Sequence, residues 1–494
     1  MSQRRKLSIG LVVLAGWVGS ARAQQAPAAP PTSQPTGPDL EVPARPAPPA
    51  PSPPDPRVGT LVEQQAADKR LVESLRARVE RLEAPPEPVP HVWKEETGAE
   101  SDGAGLLPAP GFLISGYAQA QFQASQLSED QLQQGGAPLN QDQFVVRRAR
   151  VRFDRRWRWS ALSLELDGNT VNGLSFGIRR AEASLVWDGP GPVPAAVLTA
   201  GLFYTPFGYE LPTSSRLRPF AERTLASSAL FPGQADLGLR LAGGWRFLRY
   251  AVAVLNGEPL AESGSRLFRG DPNGSKDVVG RLGVDATAGE RLHVAGGVSF
   301  LNGRGFHAGT DATKNGTVWR DINENSQIDP GEVTPLPATA ATPSANFRRW
   351  AVGADVHFSL RTSLGLTRLY GEAVVASNLD RGLFVADPVG GGIDVRELGF
   401  YGAFVQDLTA WAFAGCRVDF YNPNADGLDS RAGKVLPLDQ GITTISPIAG
   451  VRLGERTRLL VELDHVIDKL ARDGRGVPTD LKNDAVTARL QVDL

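Results

Sequence analysis

The stretch LISGYAQAQF, residues 113–122, alternates without interruption: Ile114, Gly116, Ala118, Ala120 and Phe122 share one face, and Ser115, Tyr117, Gln119 and Gln121 share the other. A period of two is the mark of a strand. The last residues, DAVTARLQVDL, repeat it, with Val486, Ala488, Leu490, Val492 and Leu494 opposed to Thr487, Arg489, Gln491 and Asp493. A soluble β-domain of this length would hide its apolar faces in a packed core, but the polar faces here are too charged to be only the skin of a sandwich. An apolar outside around a wet inside is the pattern of a transmembrane β-barrel.

Working outward from these two segments, about sixteen candidate strands fall near 112–122, 143–154, 158–168, 176–188, 195–205, 236–246, 248–256, 276–287, 290–302, 347–359, 364–377, 396–407, 410–421, 442–454, 456–467 and 484–494. Connections after even strands are brief, such as TAGE and GERT. Longer ones follow odd strands, among them 123–142, 206–235, 257–275 and 303–346. Bacterial outer-membrane barrels place short turns on the periplasmic side and long loops outside, so the expectation is an all-β, antiparallel barrel with a periplasmic N-terminus. Trp157, Trp159, Trp187, Trp245 and Trp411 fall at or beside the short turns, where an interfacial aromatic girdle belongs. Closure follows from hydrocarbon, in which every backbone N–H and C=O must be paired. Sixteen strands leave an aqueous lumen.

The N-terminal fifth reads differently. Residues 1–23 form a signal peptide: Arg4, Arg5 and Lys6, an apolar run from Leu7 to Val18, and the small-residue cleavage site Ala21-Arg22-Ala23. Residues 24–60 are a Pro-rich periplasmic linker. Residues 61–83 carry a flawed heptad pattern through Leu61, Val72, Leu75, Val79 and Leu82, a short coiled-coil helix that favours an oligomer; a solvated single helix is the alternative. A second linker, 84–110, leads to the barrel at 111–494. The formal net charge of −2 announces no nucleic-acid partner. The lone cysteine, Cys416, lies on an apolar strand face and is expected to be a small buried hydrophobe.

The second strand, FVVRRARVRF, supplies the sharpest constellation. By parity Arg148, Arg150 and Arg152 share a face with Phe144 and Val146, while Val145, Ala149, Val151 and Phe153 share the other. At about 3.3 Å per residue the three guanidinium groups stand roughly 7 Å apart, a ladder that suits oxyanions. Arg180 on the fourth strand and Arg240 on the sixth join the pore-lining set. The alternative role is pairing with carboxylates, for which Glu165, Asp167 and Glu182 are at hand. Parity sends Arg147 to the lipid side, where charge is costly; a subunit contact or a bulge would relieve that. The long loop after the fifth strand carries Arg216, Arg218 and Arg223 with Glu210 and Glu222, and is the natural candidate to fold inward and narrow the barrel.

FVVRRARVRF, GLFYTPFGYE, ERTLASSALFPGQADLGLRLAG and AVAVLNG, in that order, resemble the phosphate-selective porin family of the porin O and P type. The resemblance covers roughly residues 112–494 and is strongest from 144 to 257. It implies a trimeric, sixteen-stranded outer-membrane channel with an arginine ladder and an inward-folded third outer loop.

DINENSQIDPGE, in the loop after the ninth strand, places Asp321, Asn323, Asn325, Gln327, Asp329 and Glu332 at positions 1, 3, 5, 7, 9 and 12 of a calcium loop, with Ser326 where such loops favour glycine. A calcium ion stiffening an outer loop is the one cofactor the sequence suggests, and the channel requires none. Nothing resembles a nucleophile elbow, a P-loop or a metal-spaced set among the five histidines, so no enzyme is expected. The function read from sequence is passive diffusion of small hydrated solutes, anions such as phosphate favoured. Its partners are outer-membrane lipid, those anions and two further copies of the chain. The competing reading is an anchor whose coiled coil and Pro-rich arm reach the cell wall.

Overall fold

The computed structural model describes residues 111–494 except 129–140, 172, 192, 259–270, 290, 432, 439 and 473–476. The signal peptide, both linkers and the coiled-coil helix lie outside the described residues. The barrel strands are β1 (Gly111–Ser125), β2 (Gln143–Arg156), β3 (Ser160–Asn169), β4 (Ser175–Trp187), β5 (Ala196–Tyr204), β6 (Ala235–Trp245), β7 (Leu248–Leu255), β8 (Asp277–Ala288) and β9 (Leu292–His307). After a hairpin of β10 (Gly316–Trp319) and β11 (Val333–Leu336) come β12 (Ala345–Thr362), β13 (Gly365–Ser377), β14 (Arg396–Asp407) and β15 (Ala412–Asn422). A second hairpin, β16 (Leu428–Arg431) and β17 (Lys434–Pro437), precedes β18 (Ile442–Leu453) and β19 (Thr457–Ile467). The two-residue strands β20 (Ala471–Arg472) and β21 (Pro478–Thr479) precede β22 (Ala485–Asp493).

Sixteen of these close into one antiparallel barrel, each paired with its neighbours in the chain and β1 pairing with β22. Every strand expected from sequence has a counterpart. β9 runs on to His307 and β12 starts at Ala345, because their pairing continues beyond the alternating stretch. The 170–174 connection departs from the alternation of short and long. Its first residue lies against β2, the Thr170 N–H donating to the Val146 carbonyl at 2.9 Å.

The alternation is inverted relative to a soluble protein. Leu162, Leu239, Val252, Val284, Val298, Val352, Leu369 and Val461, spread over eight strands, are exposed on the outside. Gln119, Glu165, Arg240, Asp277, Asp355, Asp419 and Glu462 are buried inside. Water penalises an apolar surface of that extent, whereas hydrocarbon requires it together with full backbone pairing, so this sheet is built to span a bilayer. All five tryptophans of the short-turn rim are exposed. Cys416 is half-buried on the outward face, opposite in parity to the buried Arg417, and so is less covered than its residue type led one to expect.

The lumen is not empty. Residues 205–234 turn inward at Gly208, whose φ of +64° suits glycine and whose missing side chain leaves room for the Glu372 carboxylate. The Gly208 N–H donates to Ser299 Oγ at 3.0 Å, and those of Tyr209 and Glu210 to Glu372 at 3.1 and 3.2 Å. The loop carries helix α1 (Leu225–Leu230), capped by Thr224, which Glu210 holds. Phe207, Leu211, Ala226, Leu230 and Phe231 pack on the inward faces of β7, β8, β9, β12 and β13 through Leu255, Val279, Leu301, Ala351 and Val374. A hydrophobic core thus fills part of the space that strand number alone leaves to water.

Candidate functional site: an arginine-walled cavity under the third loop

The arginine strand is built around a bulge. Across β1 and β2, Gln119 faces Arg148 but Ala120 faces Val146, leaving Arg147 as the extra residue. One extra residue reverses parity beyond it. Phe144, 85% exposed, and Val146 therefore point outward and Val145 inward, the reverse of strict alternation. Arg147 is spared the lipid. A second bulge between β3 and β4 does the same: Glu165 faces Arg180, Leu166 faces Ile178, and Arg179 is extra. Each bulge sits at an Arg-Arg pair and brings both arginines inside.

Inside, the ladder is paired. Glu222 at the loop's far reach receives Arg147 Nε, Arg148 Nη2 and Arg489 Nη2, each at 2.8 Å. Arg150 donates to Asp167 at 2.9 Å and to Tyr117 and Ser215 at 2.8 Å. Arg152 reaches Asp154 at 2.9 Å, Arg180 reaches Glu182 at 2.7 Å, and Arg240 shares Glu182 at 3.2 Å. Arg223 donates to the Ser227 and Phe231 carbonyls and so finishes helix α1. Arg218 donates to the Thr213 carbonyl at 3.0 Å within the same loop. Of the eight arginines singled out from sequence, Arg148, Arg150, Arg180, Arg218, Arg223 and Arg240 are buried. Arg148 and Arg150 of the ladder pin the loop to the wall.

Burial pushes the Glu222 carboxyl up, but Arg147, Arg148 and Arg489 outweigh it and hold the group well below the usual carboxylate range. A depressed value stabilises the folded form above the ordinary pKa, and that contribution is lost only as pH falls through the lowered one. The Glu222 contact itself is therefore expected to persist from pH 7 to about pH 4.3, the ordinary carboxyl value, so that the unmodified chain and Glu222→Gln show the same pH dependence of conductance over that range. A titration step near the ordinary value in bilayer recordings, present in the unmodified chain and absent from Glu222→Gln, would refute the anchoring.

Beneath the loop, toward the short turns, lies a cavity of about 440 Å³. Its wall holds seven arginines, at 216, 218, 368, 417, 452, 456 and 458, against five carboxylate side chains, at 210, 222, 407, 455 and 493, so positive charge is in excess. Arg452 and Arg368 share Asp407 at 2.8 and 3.5 Å. Arg417 lies 3.6 Å from Glu210 and donates to the Glu222 carbonyl. Arg458 donates to two neutral oxygens, the Arg216 carbonyl at 3.1 Å and Gln491 Oε1 at 2.9 Å. In the same lining Tyr209, His293, His357 and Tyr370 form an aromatic patch. Only Arg216 and Arg218 of the sequence set line this cavity; Arg152, Arg180 and Arg240 line a pocket of about 30 Å³ elsewhere. The other cavity arginines stand singly on four strands or in a turn. Strand parity could have found Arg417, Arg452 and Arg458, because each falls on the face opposite the lipid-exposed positions.

The 321–332 loop joins β10 to β11, so hairpin strands flank it. Asp321 accepts from the Asn325 and Ser326 N–H groups at 3.1 and 2.6 Å, and Asn323 and Asn325 both donate to Asp329 at 2.7 Å. Glu332 takes the Trp319 ring N–H and the Ile322 and Asp329 N–H groups. Gln327 contributes its N–H to Asn325. Among the described residues no group of three or more His, Cys, Asp or Glu side chains is arranged to hold a metal ion.

No protein-family model matches this chain, and no curated protein sequence matches it. Solved structures do. The trimer form of OmpT, an outer membrane protein of Vibrio cholerae, is 9% identical with a TM-score of 0.44, over 78% of this chain and 99% of that one. The outer membrane channel DcaP of Acinetobacter baumannii is 9% identical, TM-score 0.45, over 78% and 97%. An anion-selective porin from Comamonas acidovorans is 10% identical, TM-score 0.43, over 78% and 99%. At such identities the likeness concerns the barrel fold alone.

Proposed function

We propose that the chain is a passive outer-membrane channel, a porin, through which small hydrated solutes diffuse with anions, phosphate among them, favoured. The observation that carries this reading is the cavity of about 440 Å³ inside an inside-out barrel, walled by seven arginines against five carboxylate side chains. Arginine keeps its charge at any working pH and presents paired donors to oxyanions. Conduction also requires release, and a wall in which Arg368, Arg417 and Arg452 share their charge with carboxylates attracts anions without trapping them. The third loop, 205–234, contains no lysine, so anion attraction in this channel is guanidinium-based. In this reading the short turns and the N-terminus face the periplasm, and the barrel assembles as a trimer.

The test is the reversal potential of the purified chain in planar bilayers across a potassium chloride gradient, where the expected sign is that of chloride preference. A unit charge about 8 Å from a passing ion in water contributes ~0.5 kcal/mol. Arg458→Gln or Arg368→Gln is therefore expected to lower the anion-to-cation permeability ratio roughly twofold. A cation-selective or non-conducting barrel rejects the function.

A further inference from the structure

Resting on the channel reading above, we infer that the cavity under the third loop is a binding site for aromatic carboxylates, planar organic anions that present a π-face and a carboxylate together. Simple inorganic anions need only the charge, whereas this cavity sets a built aromatic surface beside it. Tyr209 of the loop stacks on His357 of β12 with ring centroids 5.2 Å apart and planes 22° from parallel. Tyr370 of β13 stands directly across the strand pair from His357, its ring 5.9 Å from the imidazole and 5.5 Å from Tyr209. The three rings come from three separate segments of the chain and all line the cavity.

Arg368 and Arg458 line the same cavity as that patch. Arg368 lies two residues before Tyr370 on the same face of β13, and its one ion-pair contact among the described residues is the 3.5 Å approach to Asp407, which Arg452 already holds at 2.8 Å. The Nε–H of Arg368 is buried and has no hydrogen-bond partner among the described residues. Arg458 spends its donors on a carbonyl and an amide oxygen, neither of them charged. A guanidinium without a carboxylate of its own is where an incoming carboxylate gains a charge-assisted, paired hydrogen bond. The volume falls in the ~300–1,000 Å³ range of small-molecule sites, which combine apolar walls with a few convergent polar groups. The excess of arginine also tells against neutral aromatics as the solute, since they would leave those donors unmatched.

The experiment pairs two readouts on the full chain. The first is calorimetric titration of the detergent-solubilised protein with benzoate, cyclohexanecarboxylate and acetate. The second is the noise and blockade that the same anions produce in single-channel current. Benzoate is expected to bind more tightly than cyclohexanecarboxylate by about 3- to 10-fold, the value of an aromatic contact beyond its area, and more tightly than acetate by a wider margin. Tyr209→Leu is expected to remove the benzoate preference while leaving cyclohexanecarboxylate nearly unchanged. Arg458→Gln is expected to weaken both by about tenfold, one hydrogen bond to a charged group. Equal binding of benzoate and cyclohexanecarboxylate to the unmodified chain overturns the proposal, as does a conducting, anion-selective channel that binds neither. If benzoate binds with the expected order but no current flows, the site stands and the channel reading is what fails.

Discussion

Replacing Glu222 by Gln is expected to loosen the far reach of the third loop on the barrel wall and, in the same step, to make the channel more anion-selective. One carboxylate holds Arg147, Arg148 and Arg489 at 2.8 Å each, so its loss leaves three guanidinium groups crowded around a neutral amide. Breaking a buried pair from one side costs about 3–5 kcal/mol, and with the Glu222 side chain 34% exposed the lower end applies, about 3 kcal/mol. The loop keeps its hold through Glu372 and Glu462, the latter accepting the Ala221 N–H, so it stays inside the barrel. Larger and noisier single-channel conductance is expected, together with a reversal potential displaced toward chloride. Adding Arg489→Gln to Glu222→Gln should recover part of the lost stability, because one unpaired cation is removed; a strictly additive double-mutant cycle would show that the cluster is not coupled. Unchanged conductance and unchanged selectivity in Glu222→Gln would dismiss the loop's electrostatic anchor.

The barrel was legible because its physics is local. Period-two alternation, short turns and long loops are properties of neighbouring residues, and hydrocarbon outside forces them to recur along the chain. The bulges were harder to see. Phe144 and Val146 share parity with Arg148, a combination of greasy and charged side chains on one face that already signals an extra residue between them, yet the position of that residue is set by the partner strand. The inward fold of residues 205–234 was legible from length and charge. Its anchor was not, because Glu222 meets Arg489 across 267 positions of sequence.

The same distinction explains why an arginine ladder, conspicuous as a run, turned out to pin a loop, while dispersed single arginines line the cavity. Consecutive same-face cations on one strand stand roughly 7 Å apart and repel one another, so a stable fold supplies them with carboxylates, here Asp167, Asp154 and Glu222. Single arginines on separate strands meet only in the closed barrel. There they share fewer carboxylates, as Arg368 and Arg452 share Asp407. Charge that is left over for a solute is therefore found where the sequence spaces it out.

Phe207→Ala is expected to loosen the apolar half of the plug, with a large loss of stability in the loop. The Phe207 side chain is 1% exposed, its ring lies 5.1 Å from that of Phe231, and it rests over Gly353 of β12, where a Cβ would come within 3.1 Å of the ring. Removing a fully buried phenyl group costs about 3–5 kcal/mol, because the surrounding wall is a hydrogen-bonded barrel that cannot collapse into the void. The loss belongs to the loop rather than to the barrel, whose backbone pairing is independent of it. Amide exchange should therefore accelerate at residues 225–230 while the strands keep their protection, and the open-channel current should rise. Phe300, outward-facing and 46% exposed, is the matched control, and its replacement by alanine should leave both readouts near those of the unmodified chain. Faster exchange throughout the strands in Phe207→Ala would instead mean that plug and barrel unfold as one unit, and the separate loop described here would be untenable.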